Sequence, residues 1–154
     1  MRNKLVSIVI ILAGLSLATF AQAQDSLEGA WQLQELMVSG GPNEGTNTDP
    51  DLHLILFTGG HYSRIVNFAA RPSVSQGQPT TDADRIANYI TFRANSGTYE
   101  VSGSKLMLHF MLSLNPAAVG FREEVEYRIE GDKLITTATP NESVVTRRTY
   151  TRMD

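Results

Sequence analysis

Two residues that could do chemistry interrupt the most apolar stretch after the N-terminus. In KLMLHFMLSLNP, residues 105–116, His109 and Ser113 stand among leucines and methionines. An imidazole titrating near neutrality can accept or donate a proton, and a carboxylate within reach would complete a proton-transfer pair. Glu35, in GAWQLQELMV, is the candidate partner of His109, and that pair would suit an isomerase or cyclase acting on a small organic substrate. The plainer reading of His109 is a satisfied core histidine or a surface one. Ser113 is no nucleophile for it, because four residues along one strand separate the two by about 13 Å. The chain has no G-x-S-x-G elbow, Gly-rich phosphate loop or H-E-x-x-H. His53, His61 and His109 have no carboxylates at ligand spacing and the chain has no cysteine, so neither metal nor cofactor is expected.

These residues need strands to position them. Residues 105–115 present two faces: Leu106, Leu108, Phe110, Leu112 and Leu114 against Met107, His109, Met111, Ser113 and Asn115. Burial alone would send the leucines inward. Similar alternation in residues 29–38 puts Trp31, Leu33, Glu35 and Met37 on one side. LHLILF and HYSRIV flank a tight turn at Thr58-Gly59-Gly60, and TYEVS, FREEVEYRI, KLITTAT and VVTRRTYTRM supply further strands. Residues 39–51 and 71–79 read as loops rich in Gly, Pro, Asn and Ser.

One helix is expected over residues 81–93. Thr81 and Asp84 form a capping box, and Ala83, Ile86, Tyr89 and Ile90 make a stripe suited to packing on the sheet. The fold class is therefore all-β: eight antiparallel strands closing into an up-and-down barrel, with one short helix between strands 3 and 4. A sandwich is the alternative, and short sequential connections argue against it. The run Glu123, Glu124 and Glu126 reads as a solvent-facing edge.

The first residues have the parts of a secretory leader: Arg2 and Lys4, an apolar run from Leu5 to Leu17, and Ala21-Gln22-Ala23 as a cleavage pattern. The run is short for a bilayer span of roughly 20 residues. Residues 1–23 are the expected signal peptide and 24–154 one domain, periplasmic or secreted, with no membrane span after cleavage. Two of the 13 basic residues lie in the leader and all 16 acidic ones follow it, so the net charge moves from −3 to −5. That surface offers no attraction to nucleic acid.

Three blocks in order resemble the bacterial lipocalin-like domain proteins, a branch of the calycins: Gly29-Ala30-Trp31, then FTGGHYS at 57–63, then ANSGTYEVSG at 94–103 followed by LHFMLSLNPAAVG at 108–120. The resemblance implies a small barrel with an interior cavity, and places His109 and Ser113 together on the cavity face. It also implies that Trp31 packs across the closed end behind Gly29, with Arg152, or else Arg148, stacked on the indole. If that face is inward, Met107 and Met111 form an adaptable wall. Trp31, Leu33, Glu35, Tyr62, Arg64, Tyr99, Tyr127 and Tyr150 share the same parity, with Glu35 and Arg64 a candidate buried pair.

The expected function is binding of a small apolar or amphipathic molecule by Trp31, Leu33, Glu35, Tyr62, Arg64, Met107, His109, Met111, Ser113 and Tyr127. The alternatives are a barrel enzyme using His109 and Glu35, and an interaction module with a filled core.

Overall fold

A computed structural model describes residues 27–67 and 81–153. The expected leader with its cleavage position and the loop at 71–79 lie outside them. The strands are β1 (Gly29–Ser39), β2 (Gly45–Asn47), β3 (His53–Thr58), β4 (His61–Asn67), β5 (Phe92–Ser102), β6 (Lys105–Ser113), β7 (Arg122–Glu130), β8 (Lys133–Asn141) and β9 (Val144–Met153). From β3 to β9 each strand pairs antiparallel with the next, β3 pairs with β1, and β1 pairs with β9. The ring thus closes on eight strands, leaving β2 as a short flap on the far half of β1.

The helix α1 (Asp82–Ile90) lies between β4 and β5, not between the third and fourth strands. The correction follows from β2: part of the expected loop at 39–51 pairs with Leu36, Met37 and Val38 and adds a strand before the hairpin. Thr81 caps α1, its hydroxyl accepting from the Asp84 amide at 3.1 Å while Asp84 Oδ2 accepts from the Thr81 amide. The helix ends three residues earlier than expected, because Phe92 and Arg93 already pair with Asn67 and Val66 in the sheet. Its apolar stripe does not pack as expected: no residue of α1 is buried, and Ile86, Tyr89 and Ile90 are exposed. Among the described residues no helix is long and apolar enough to cross a membrane.

Period-2 patterning fills the barrel. Ile55 and Phe57, Leu106, Leu108 and Phe110, Val125, Leu134, and Tyr150 point inward and form one core. Two bulges change which residues join it. On β1, Leu33 faces Tyr150 and Glu35 faces Thr149, so Gln34 is an extra residue. On β6, Phe110 faces Gly97 and Leu112 faces Ser96, so Met111 is extra. A bulge inserts one unpaired residue and reverses the alternation beyond it. Gly97 allows the second: a Cβ there would lie 1.8 Å from the His109 carbonyl oxygen.

Candidate functional site

One end of the barrel is a closed floor. Trp31 is fully buried and its Nε1 donates to the Leu27 carbonyl at 2.9 Å. The Arg152 guanidinium sits 4.1 Å from the indole centroid and donates to the Glu28 carbonyl. Gly29 makes room for that contact, since a Cβ there would meet Arg152 Nη1 at 2.6 Å, and its φ of +124° is one that few side chains adopt. Glu28 ties in the neighbouring strands, accepting from the Gly59 amide at 2.7 Å and the Tyr99 hydroxyl at 3.1 Å. A cation–π contact and a hydrogen bond together contribute about 2 kcal/mol. Arg152→Ala should therefore lower the melting temperature by roughly 7 °C in a calorimetric scan; an unchanged value would mean that the stack adds nothing.

Above the floor the side chains nearly meet. Among the described residues one interior cavity has about 20 Å³ of free space, room for one water molecule. Its lining includes apolar Ile55, Leu108 and Val125 and polar Arg64, Glu123, Thr136, Arg148 and Tyr150. Arg64 Nη2 donates to Glu123 Oε2 at 2.8 Å, with the two side chains 16% and 24% exposed, so this pair is the polar base of a mouth that solvent reaches. Burial alone would lower the Arg64 pKa; the charge and hydrogen bond of Glu123 outweigh it and raise it. Arg64 also lies 5.4 Å from the Phe110 ring.

Next to this pair His53 is buried edge-on to Tyr150, ring centroids 5.2 Å apart, with Nε2 3.4 Å from the tyrosine oxygen. Burial first, then the charges of Arg64 and Arg148, lowers the His53 pKa to about 3, so its ring is neutral at pH 7. Burial likewise pushes Tyr150 up to about 12 and raises Tyr62. Among the described residues the Tyr62 hydroxyl and Asn95 Oδ1 are buried without a hydrogen-bond partner. At the rim the exposed ring of Phe121 packs edge-on against buried Phe110, 5.5 Å between centroids.

No family model matches the sequence and no curated protein matches it. The structure is similar to a lipocalin-like protein from Bacteroides uniformis, at 13% identity and a TM-score of 0.47, covering 82% of this chain and 98% of that one. An uncharacterized protein from Bacteroides eggerthii gives 12% identity, a TM-score of 0.47 and coverage of 82% and 99%. A redesigned β-barrel gives 10% identity, a TM-score of 0.45 and coverage of 86% and 96%. The barrel itself stands on the strand pairings above.

Several sequence expectations about the site are corrected. Leu106, Leu108 and Phe110 occupy the inner face of β6, so Met107 and His109 are on the outside, and Met111 is 54% exposed at its bulge. His109 lies between Thr98 and Arg122 on the outer face. Ser113 does not share that side: past the bulge it faces Asn95, whose own partner on β4 is inward-facing Arg64. Glu35 is turned outward by the Gln34 bulge, and Leu36 takes its place against the core. The expected Glu35–Arg64 pair is therefore replaced by Glu123–Arg64, and a His109–Glu35 catalytic pair is not assembled.

Trp31, Leu33 and Tyr127 are inside the barrel but belong to its packing rather than to the free space. Of the expected ligand-binding residues Arg64 alone borders that space, with Tyr62 buried two residues away on the same face. Glu123, His53 and Arg148 were not anticipated at a site. Glu123 could have been found by counting in twos from Val125, Tyr127 and Ile129. Among the described residues no three of His, Cys, Asp and Glu come together as metal ligands.

Proposed function

We propose that the chain is an exported lipocalin-like protein that binds one small amphipathic molecule at the barrel mouth rather than in its depth. The observation that carries this is the exposed Phe121 ring set on buried Phe110 beside the solvent-reached Arg64–Glu123 pair. Few polar groups beneath an apolar rim are the usual make-up of a small-molecule site. With room for only one water below, a guest occupies the mouth, its polar end toward Arg64 and Glu123 and its apolar part against Phe121. The same small void favours the second reading, an interaction module with a filled core. A native mass spectrum of the protein purified from its own cell envelope separates them. A co-purifying small molecule, lost in Phe121→Ser, is the expected result. Protein carrying no such mass, whether or not Phe121 is changed, would leave the filled-core reading.

A further inference from the structure

We infer that the outer wall formed by β3, β4, β5 and β6 is a docking face for a second copy of this chain. Strand register lines up the outward side chains of these strands in rows. One row is Thr58, His61, Thr98 and His109; the next, farther from the floor, is Leu56, Ser63, Ser96 and Leu112. The third is Leu54, Ile65 and Ala94, continued by Leu114, whose amide donates to the Ala94 carbonyl at 2.8 Å.

No side chain in these rows is a carboxylate, an amine or a guanidinium, yet Leu112 is 69% exposed, Leu56 44% and Ile65 40%. On the adjacent β7 the outward residues are Arg122, Glu124, Glu126, Arg128 and Glu130, every one charged and exposed. Absence of charge together with exposed aliphatic side chains marks the centre of a protein interface. A lipid surface fits less well. Hydroxyls and imidazoles fill the first row and serines the middle of the second, with no basic residue and no tryptophan among them.

What selects a second copy is that the rows complement themselves. A two-fold axis running along the strands between β4 and β5 lays β4 over β5 of the second copy and β3 over its β6. Each row then meets its own reverse. Leu56 meets Leu112 and Ser63 meets Ser96; bulky Ile65 meets small Ala94, and Leu54 meets Leu114. Thr58 meets His109 and Thr98 meets His61, so hydroxyls face imidazoles. His61 is set up for this: its Nδ1 lies 2.9 Å from the Gly59 carbonyl and so carries a proton, which leaves Nε2 of the neutral ring as an acceptor. A barrel wall is convex, so β3 and β6 fall away from a partner, and leucines there with serines between them offset part of the fall. The rows cover about 400 Å² with their side chains, from the ordinary strand spacing and rise. That is half of the roughly 800 Å² per partner of a standard interface, so the dimer is expected to be weak.

Sedimentation equilibrium at pH 7, from about 1 μM to about 1 mM protein, tests this, with a monomer–dimer midpoint expected on the order of 100 μM. Ser63→Arg and Ser96→Glu should each weaken the dimer at least about tenfold, since each leaves an unpaired charge in the contact. Mixing these two variants should restore most of the association, because position 63 meets position 96 across the axis. Leu112→Lys, at an exposed site, should weaken the dimer as well, and it decides the matter if either serine variant does not fold. A protein that stays monomeric throughout the range overturns the inference. So does a dimer indifferent to Ser63→Arg and Leu112→Lys, which would use another surface. Variants that dissociate singly but do not associate on mixing overturn the two-fold arrangement. Monomer that binds phosphatidylcholine vesicles, and loses them in Leu112→Lys, would give the face to lipid instead.

Discussion

Glu123→Gln is expected to destabilise the protein by about 3 kcal/mol, although it replaces one oxygen by one nitrogen. A surface ion pair contributes a few tenths to 1 kcal/mol, because water solvates each partner once the other is removed. Arg64 differs: its side chain is 16% exposed, it points into the barrel, and its Nη2 lies 2.8 Å from the carboxylate. Losing the Glu123 charge leaves that guanidinium largely desolvated, a situation that costs about 3–5 kcal/mol when a pair is fully buried. Partial access of solvent at the mouth places this case at the lower end. Arg148 on the same interior space makes the loss worse, since both remaining charges are then positive. The double variant Arg64→Leu/Glu123→Leu should recover most of the stability, because it removes the charge together with its partner. Urea denaturation of Arg64→Leu, Glu123→Leu and the double variant gives the coupling energy directly. A loss below about 0.5 kcal/mol for Glu123→Gln would place the pair with ordinary surface bridges.

That Glu123, and not Glu35, holds Arg64 shows where the sequence is legible and where it is not. Strand positions follow from period-2 alternation, and the short sequential connections lead to an up-and-down barrel. Which face is inward holds only until an extra residue intervenes. Counted from Trp31 and Leu33, Glu35 lies inside; the bulge at Gln34 turns it out, and nothing in Gln34 itself announces an unpaired residue. On β6 the leucine face took the interior, as its larger apolar content requires, yet Ser113 still reached the inner side through the bulge at Met111. His109 and Ser113 are four apart and would share a face in a regular strand, but the bulge sends them to opposite sides. Here the sequence did hold a clue: Gly97 inside a strand marks a place where another backbone comes close. The acidic run was read by composition, as a solvated edge, when its parity with Val125 already placed Glu123 inside.

The second large effect expected is a loss of stability in mild acid that depends on His53. In an unfolded chain this imidazole titrates near 6.5, whereas in the barrel its pKa is about 3. Burial is the main cause; the ring is 6% exposed, against Tyr150. The like charges of Arg64 and Arg148 add to it, and Glu123, the one carboxylate among the described residues that borders the same interior space, is held by Arg64. The folded state therefore keeps His53 neutral where the unfolded state takes up a proton. Above pH 6.5 neither binds it and stability is complete; as pH falls the unfolded chain gains, until near pH 3 the folded protein titrates too. Between pH 7 and pH 5 the loss from this one group is about 2 kcal/mol, at roughly 1.4 kcal/mol per pH unit below 6.5. His53→Phe keeps an aromatic ring against Tyr150 and removes the titration, so its stability should change far less over that interval. Urea midpoints of both proteins at pH 7 and pH 5 measure the difference. The same acid dependence in His53→Phe would assign it to other groups and leave His53 as simple packing.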